Sequence, residues 1–177
     1  RTAAITVRAR SVGTLRLALG LRARLAMSAL VSTVMMATLV VGPFYLSRDL
    51  GLAPETVGAL LSVGPLVVAL TGVPAGRIAD QLGAERTTLL GLLGMAAGSG
   101  ILAMMPPAAG IPGYIVPIAI LTASYALFQT ANNTAVMVDV GAAERGVVSG
   151  LLTLSRNLGL LTGASALGAL FALAGLR

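Results

Sequence analysis

The sequence predicts an all-α polytopic membrane protein, and three observations carry that prediction. Of the 177 residues 56% are apolar and only 10% are charged, with a mean hydropathy of +0.94, well outside the mix of a water-soluble domain. The apolar residues are gathered into runs of about 20, the length a helix rising about 1.5 Å per residue needs to cross ~30 Å of hydrocarbon. The polar residues and turn formers are confined to short stretches between those runs.

The first run, roughly residues 25–47, follows an Arg-rich, acid-free stretch over residues 1–24 that reads as a cytoplasmic linker. Behind it come 56–75, 88–106, 113–138 and 146–173, giving a transmembrane bundle of five helices over residues 25–177. The connections "SRDLGLAPE", "GRIADQLGAERT", "PPAAGIPG" and "DVGAAER" are brief, so consecutive helices run antiparallel. Gly42-Pro43 and Gly64-Pro65 mark expected kinks in the first two spans, and Gly113 and Pro117 allow the fourth to bend. Gly94/Gly98, Gly146/Gly150 and Gly159/Gly163 have the four-residue spacing at which helices approach closely.

Arginine sets the orientation, because short cytoplasmic loops retain basic residues. Arg1, Arg8, Arg10, Arg16, Arg22 and Arg24 precede the first span, Arg77 and Arg86 follow the second and Arg145 follows the fourth. Only Arg48 and Arg177 stand opposite, and Arg156 lies within the fifth span. The amino end is therefore expected in the cytoplasm. Five crossings then leave the carboxyl end outside. The first residue is Arg rather than Met, so the sequence reads as part of a longer frame.

Composition also removes whole classes of chemistry. The chain has no Cys, His, Lys or Trp, which excludes thiolate and imidazole metal sites, Cys/His and Ser/His nucleophile pairs and Schiff-base lysines. No cofactor, no metal and no catalytic residue is expected, so an intramembrane enzyme is disfavoured. The net charge of +6 sits in the amino-terminal arginines without interleaved aromatics, a topogenic pattern and not a nucleic-acid surface. Asp49, Glu55, Asp80, Glu85, Asp139 and Glu144 all fall at segment ends, leaving no carboxylate at membrane depth.

Two polar features remain inside the apolar runs. In "QTANNTAVM", residues 129–137, three amides interrupt the fourth span, and Tyr125, Gln129, Asn132, Asn133 and Val136 recur at the three-and-four spacing of one helical face. Facing lipid, each unsatisfied amide costs several kcal/mol, so the stripe turns toward other helices or a wet cavity. Arg156 lies eleven positions beyond Arg145, where a central arginine costs about 2.5–3.5 kcal/mol on insertion scales, and it too is expected to point inward. In the first span Ser28, Ser32, Thr33, Met35, Met36 and Thr38 offer an adaptable, mildly polar surface.

The loop "GRIADQLGAER" resembles the signature loop of the major facilitator superfamily, glycine-x-x-x-aspartate-basic-x-glycine followed by basic residues, which joins the second and third helices of each six-helix half. Gly76, Asp80, Gly83 and Arg86 match, while Gln81 and Ala84-Glu85 dilute the basic positions as in the weaker copy of the second half. "ERGVVSGLL" and "SRNLGLLTGA" look like the loop after the tenth helix and the eleventh helix of the superfamily's drug/proton antiporters with fourteen spans.

The resemblance implies five helices of the carboxyl-terminal six-helix half-bundle, with the last helix missing. It implies a secondary transporter of the bacterial inner membrane that exports small amphiphilic or drug-like molecules by alternating access, coupled to protons, with the amino-terminal half-bundle as partner. Gln129, Asn132, Asn133, Arg156 and Tyr125 are then the expected cavity residues. The competing expectation is a remnant or structural membrane module without transport. The absence of native cysteine gives a clean test of orientation: in intact cells a membrane-impermeant maleimide should label Gly51→Cys and leave Gln81→Cys and Ala143→Cys unlabelled, and the reverse pattern overturns the arginine argument.

Overall fold

The computed structural model describes residues 2–138 and 140–175; Arg1, Asp139 and Arg177, named above, lie outside them. Among the described residues every regular element is helical. Helix α1 (Thr2–Phe44) continues into a π-helical turn, Tyr45–Asp49, and is followed by α2 (Pro54–Leu61), α3 (Val63–Leu82), α4 (Ala84–Met104), a 3₁₀ turn (Pro107–Ala109), α5 (Gly110–Met137) and α6 (Arg145–Gly175). Five stretches are long and apolar enough to span a bilayer: Leu19–Asp49, Pro54–Leu82, Ala84–Met104, Gly110–Met137 and Arg145–Leu173. Within a single segment only a helix satisfies its own backbone in hydrocarbon, which suits continuous apolar runs of this length.

Each span is longer than its apolar run. The Arg-rich stretch assigned to a linker is continuous with α1, which begins at Thr2. The signature loop contracts most: α3 runs to Leu82 and α4 starts at Ala84, so Gly83 alone makes the turn. Its φ of +81° is open to glycine and strained for other residues. Its N–H bonds Ala79 at 3.0 Å, and its carbonyl accepts from the Thr87 backbone at 3.1 Å and hydroxyl at 2.9 Å. Gly76, the first glycine of the quoted loop, lies inside the helix, because Ala75 and Ala79 bury on the core face and carry α3 straight through it.

The prolines act where their missing N–H falls. α2 and α3 are separated only at Ser62, because Pro65 cannot donate to the carbonyl of residue 61 and its ring crowds that group. After Pro43 the chain widens into the π-helical turn, where Leu50 N–H bonds the Tyr45 carbonyl at 3.2 Å.

Glycine notches seat the helices. An added Cβ at Gly91 would come within 2.6 Å of the Phe128 backbone nitrogen, at Gly94 it would strike Ser124, and at Gly98 it would lie 3.0 Å from the Leu121 backbone nitrogen. Those pairs run in opposite directions, so α4 and α5 are antiparallel at near backbone contact. Gly159 fits against the Ala29 carbonyl and Gly163 against the Thr33 carbonyl. The Thr33 hydroxyl donates to the Gly159 carbonyl at 3.0 Å and Ser155 to Leu25. These pairs ascend together, making α1 and α6 parallel, as the first and fifth of five alternating crossings must be. Gly146 and Gly150 meet nothing.

α5 is the bundle's centre. Half of its most apolar window is buried, against 11–28% for the other spans. It packs along α4 on one flank and α3 on the other, with α1 across its front. Val31, Met95 and Phe128 fill the junction of α1, α4 and α5. Val136, Val148 and Leu152 join α5 to α6 near the end that carries Arg145. Outward residues such as Leu30, Leu70, Leu93, Val116 and Leu161 are exposed and apolar, the surface a lipid annulus requires.

Gly91→Ala is expected to lower the thermal midpoint of the protein in detergent, costing on the order of 1–3 kcal/mol by overpacking against an immovable backbone. Gly146→Ala, into open space, should not lower it. Equal midpoints for the two variants refute the notch.

Candidate functional site

Three of the sequence-predicted residues converge between α5 and α6. With the Gln129 amide oriented to satisfy its neighbours, its Oε1 accepts from Arg156 Nη1 at 2.9 Å and Nη2 at 2.8 Å, while its Nε2 donates to the Tyr125 hydroxyl at 2.6 Å. Tyr125 and Gln129 are one helical turn apart, so both reach the same gap from α5. Arg156 reaches it from α6, held by the neighbouring seam of Ser155 and Gly159 on α1. All three are half-buried. The arginine thus points inward, and its charge-assisted bonds are the stronger kind.

The two asparagines part from that group. Asn132 is only 1% exposed, and its side-chain Oδ1 has no hydrogen-bond partner. It continues the row of Leu121 and Phe128, on the side of α5 that α4 covers, in register with Thr87. Asn133 lies about 100° farther round α5 and is half-buried. Of the signature-loop residues, Gly76 is inside α3, Gly83 makes the turn, and Asp80 and Arg86 are exposed on the adjoining helical ends.

A cavity of about 400 Å³ opens between α1, the α2–α3 break and α5. Its floor is the α5 row Tyr114, Ile118, Leu121, Thr122 and Tyr125, and its walls include Met35 and Thr38 of α1 and Gly64, Pro65 and Val68 of α3. Tyr125 is the one expected site residue in the lining, and it touches both the cavity and the arginine network.

Sequence reasoning named Met35, Thr38 and Gly64-Pro65 only as secondary features and missed Tyr114, Ile118, Leu121 and Thr122. Their signal was present: extending the three-and-four row of Tyr125 backward along α5 passes through each of them. A second cavity of about 320 Å³ lies across α1, beside Val41, Tyr45, Leu102 and Tyr114. There the Tyr114 ring stacks on Tyr45 at 6.2 Å, and Gly42 makes room for its hydroxyl.

Five apolar helices packed parallel and antiparallel, with a cavity between them, define a multi-pass membrane bundle. A sequence profile described as Major Facilitator Superfamily matches residues 3–164. The chain belongs to the major facilitator superfamily, a family of transporters rather than enzymes.

It is similar to the uncharacterized transporter YebQ of Escherichia coli (strain K12), 32% identical over 130 residues that make up 73% of this chain and 28% of that protein. It is also similar to the riboflavin transporter RibZ of Clostridioides difficile (strain 630), 26% identical over 130 residues with the same shares of 73% and 28%. The matched part of the chain thus spans little more than a quarter of either relative.

Gln129 is the pivot of the network, which makes its replacement informative. Gln129→Leu strands two guanidinium donors and is expected to cost about 1.5–3 kcal/mol, the range for bonds to a charged group. Gln129→Glu supplies a carboxylate in the same place and should restore or exceed the parent stability. Thermal unfolding of both variants checks the pair, and equal losses would disprove the assigned bonds.

Proposed function

We propose that this chain forms most of the carboxyl-terminal half of a secondary active transporter in a bacterial inner membrane, with its amino end cytoplasmic. In this reading the bundle rocks against an amino-terminal half-bundle and carries small amphiphilic or drug-like molecules outward by alternating access. The single observation that carries the proposal is the cavity of about 400 Å³ between α1, α3 and α5, a volume within the range of small-molecule sites.

Its lining is apolar with a few hydroxyls, which suits an amphiphile and gives no foothold to a strongly hydrated sugar or ion. The Clostridioides relative is named for transport of riboflavin, a small molecule. Placement among the drug/proton antiporters with fourteen spans rests on the resemblance of "ERGVVSGLL" and "SRNLGLLTGA" to that group.

Within this reading Tyr125, Gln129 and Arg156 form the polar end of the pathway and Asn133 lies at its margin. Asn132 holds α5 in its seat, and Asp80, Gly83 and Arg86 control the cytoplasmic turn. Proton coupling assigns the protonated acid to the other half, because the described carboxylates all sit at helix ends and arginine does not give up its proton.

The test is flux through the full-length protein reconstituted in liposomes, driven by an imposed proton gradient. Thr122→Trp, which fills the cavity, should abolish it. Val116→Trp, on the exposed face of α5, should leave it intact. Flux that survives Thr122→Trp defeats the cavity assignment, and equal loss in both variants points to a folding defect and not a blocked path.

A further inference from the structure

Among the described residues no carboxylate stands beside Arg156. α6 begins at Arg145, so Arg156 lies about 16 Å along its axis at about 1.5 Å per residue. The described carboxylates stand at the bundle's ends: Asp49 closes the π-helical turn, Glu55 opens α2, Asp80 is in the last turn of α3, Glu85 opens α4 and Glu144 precedes α6. None of them shares the depth of the guanidinium. Its partner is Gln129, a neutral amide, which orients the fork without neutralising it. A permanent cation held in a fixed direction at that depth, with N–H groups left over, is an anion site.

The bond directions extend the argument. Arg156 donates both of its contacts to the Gln129 oxygen, and Gln129 in turn donates to the Tyr125 oxygen. The Tyr125 hydroxyl is therefore an acceptor within the network, and its own proton is free to donate outward. Tyr125 lines the large cavity. The rest of that lining is overwhelmingly apolar, so an oxyanion group and an apolar body have complementary places on either side of one phenol.

Resting on the transport reading above, we propose that the substrates are amphiphilic acids, with a carboxylate or similar oxyanion bound by Arg156 and Tyr125 and the apolar body in the cavity between α1, α3 and α5. Gln129 is a positioning residue that aims both donors. The alternative pairing, an acidic side chain from the other half-bundle resting on Arg156, makes the opposite prediction for ligand charge: the site would then prefer neutral or cationic compounds.

The experiment compares three matched fluorescent probes, 1-pyrenebutyrate, its primary amide and the corresponding pyrenebutyl ammonium, in flux through the full-length protein in liposomes. The carboxylate should be favoured over the amide by about tenfold or more, as expected for bonds to a charged group. Arg156→Gln should bring that ratio to about one, chiefly by loss of carboxylate flux. Gln129→Glu keeps the arginine and a filled hydrogen-bond position but compensates its charge, so it should abolish the preference in a folded protein, which a purely structural role for Arg156 would not do.

Equal movement of the three probes, a preference for the ammonium, or a ratio unchanged in Gln129→Glu overturns the acid subsite while transport stands. Movement of none of them by the parent protein overturns the transport reading and the subsite together.

Discussion

The structure depends on one constraint: in hydrocarbon there is no water to expel, so helices cannot be driven together by burying apolar surface and must be held by close steric fit and a few polar bonds. The fit here is made by removing atoms. Gly91, Gly94 and Gly98 let α4 lie on the backbone of α5, and Gly159 and Gly163 let α6 lie on that of α1. Each seam fixes a pair of helices and their rotation. Contact between the two pairs is sparser, concentrated where Phe128 meets Val31 and where Val136 meets Val148 and Leu152. The space left over between tightly seated units is the cavity, and the space between α5 and α6 is what the long side chains of Gln129 and Arg156 cross.

That origin explains which parts of the molecule are legible in the sequence. Spans are legible because lipid imposes length and hydropathy on every residue of a crossing. Their ends are not, since "GRIADQLGAER" is polar and still helical on both sides of Gly83. Hydropathy reports the thickness of the hydrocarbon, and helices continue past it into the headgroups. The glycine pairs were legible only as candidates. Gly94/Gly98 and Gly159/Gly163 became seams while Gly146/Gly150, with the same spacing, face open space, because a notch matters only against a partner whose position the spacing does not contain.

The polar site divides along the same line. Tyr125, Gln129 and Arg156 were legible together, because a stripe at helical spacing and an arginine at depth each have one tolerable direction to face. Asn132 shares the stripe by spacing, but it is turned by about 60° from Gln129 toward the α4 seam, where the fit of Phe128 over Gly91 decides what it meets. A row of residues on a helix is an arc, and neighbouring helices cut that arc into different environments. The cavity floor from Tyr114 to Thr122 lies on the backward extension of the same row, but Ile118 and Leu121 look like core, and only the facing residues of α1 and α3 make them a lining.

A carboxylate at the depth of Arg156 could shed its charge by taking up a proton, so its presence would have suited a coupling role and cost little in the empty state. Arginine has no such escape. Among the described residues its polar contact is the Gln129 oxygen, and the proposed acid would supply the counter-charge. Under the proposed acid subsite this fixed cation would favour one class of ligand in the neighbouring cavity. The neutral amide of Gln129 bonds both Arg156 and Tyr125, and Tyr125 in turn lines the cavity.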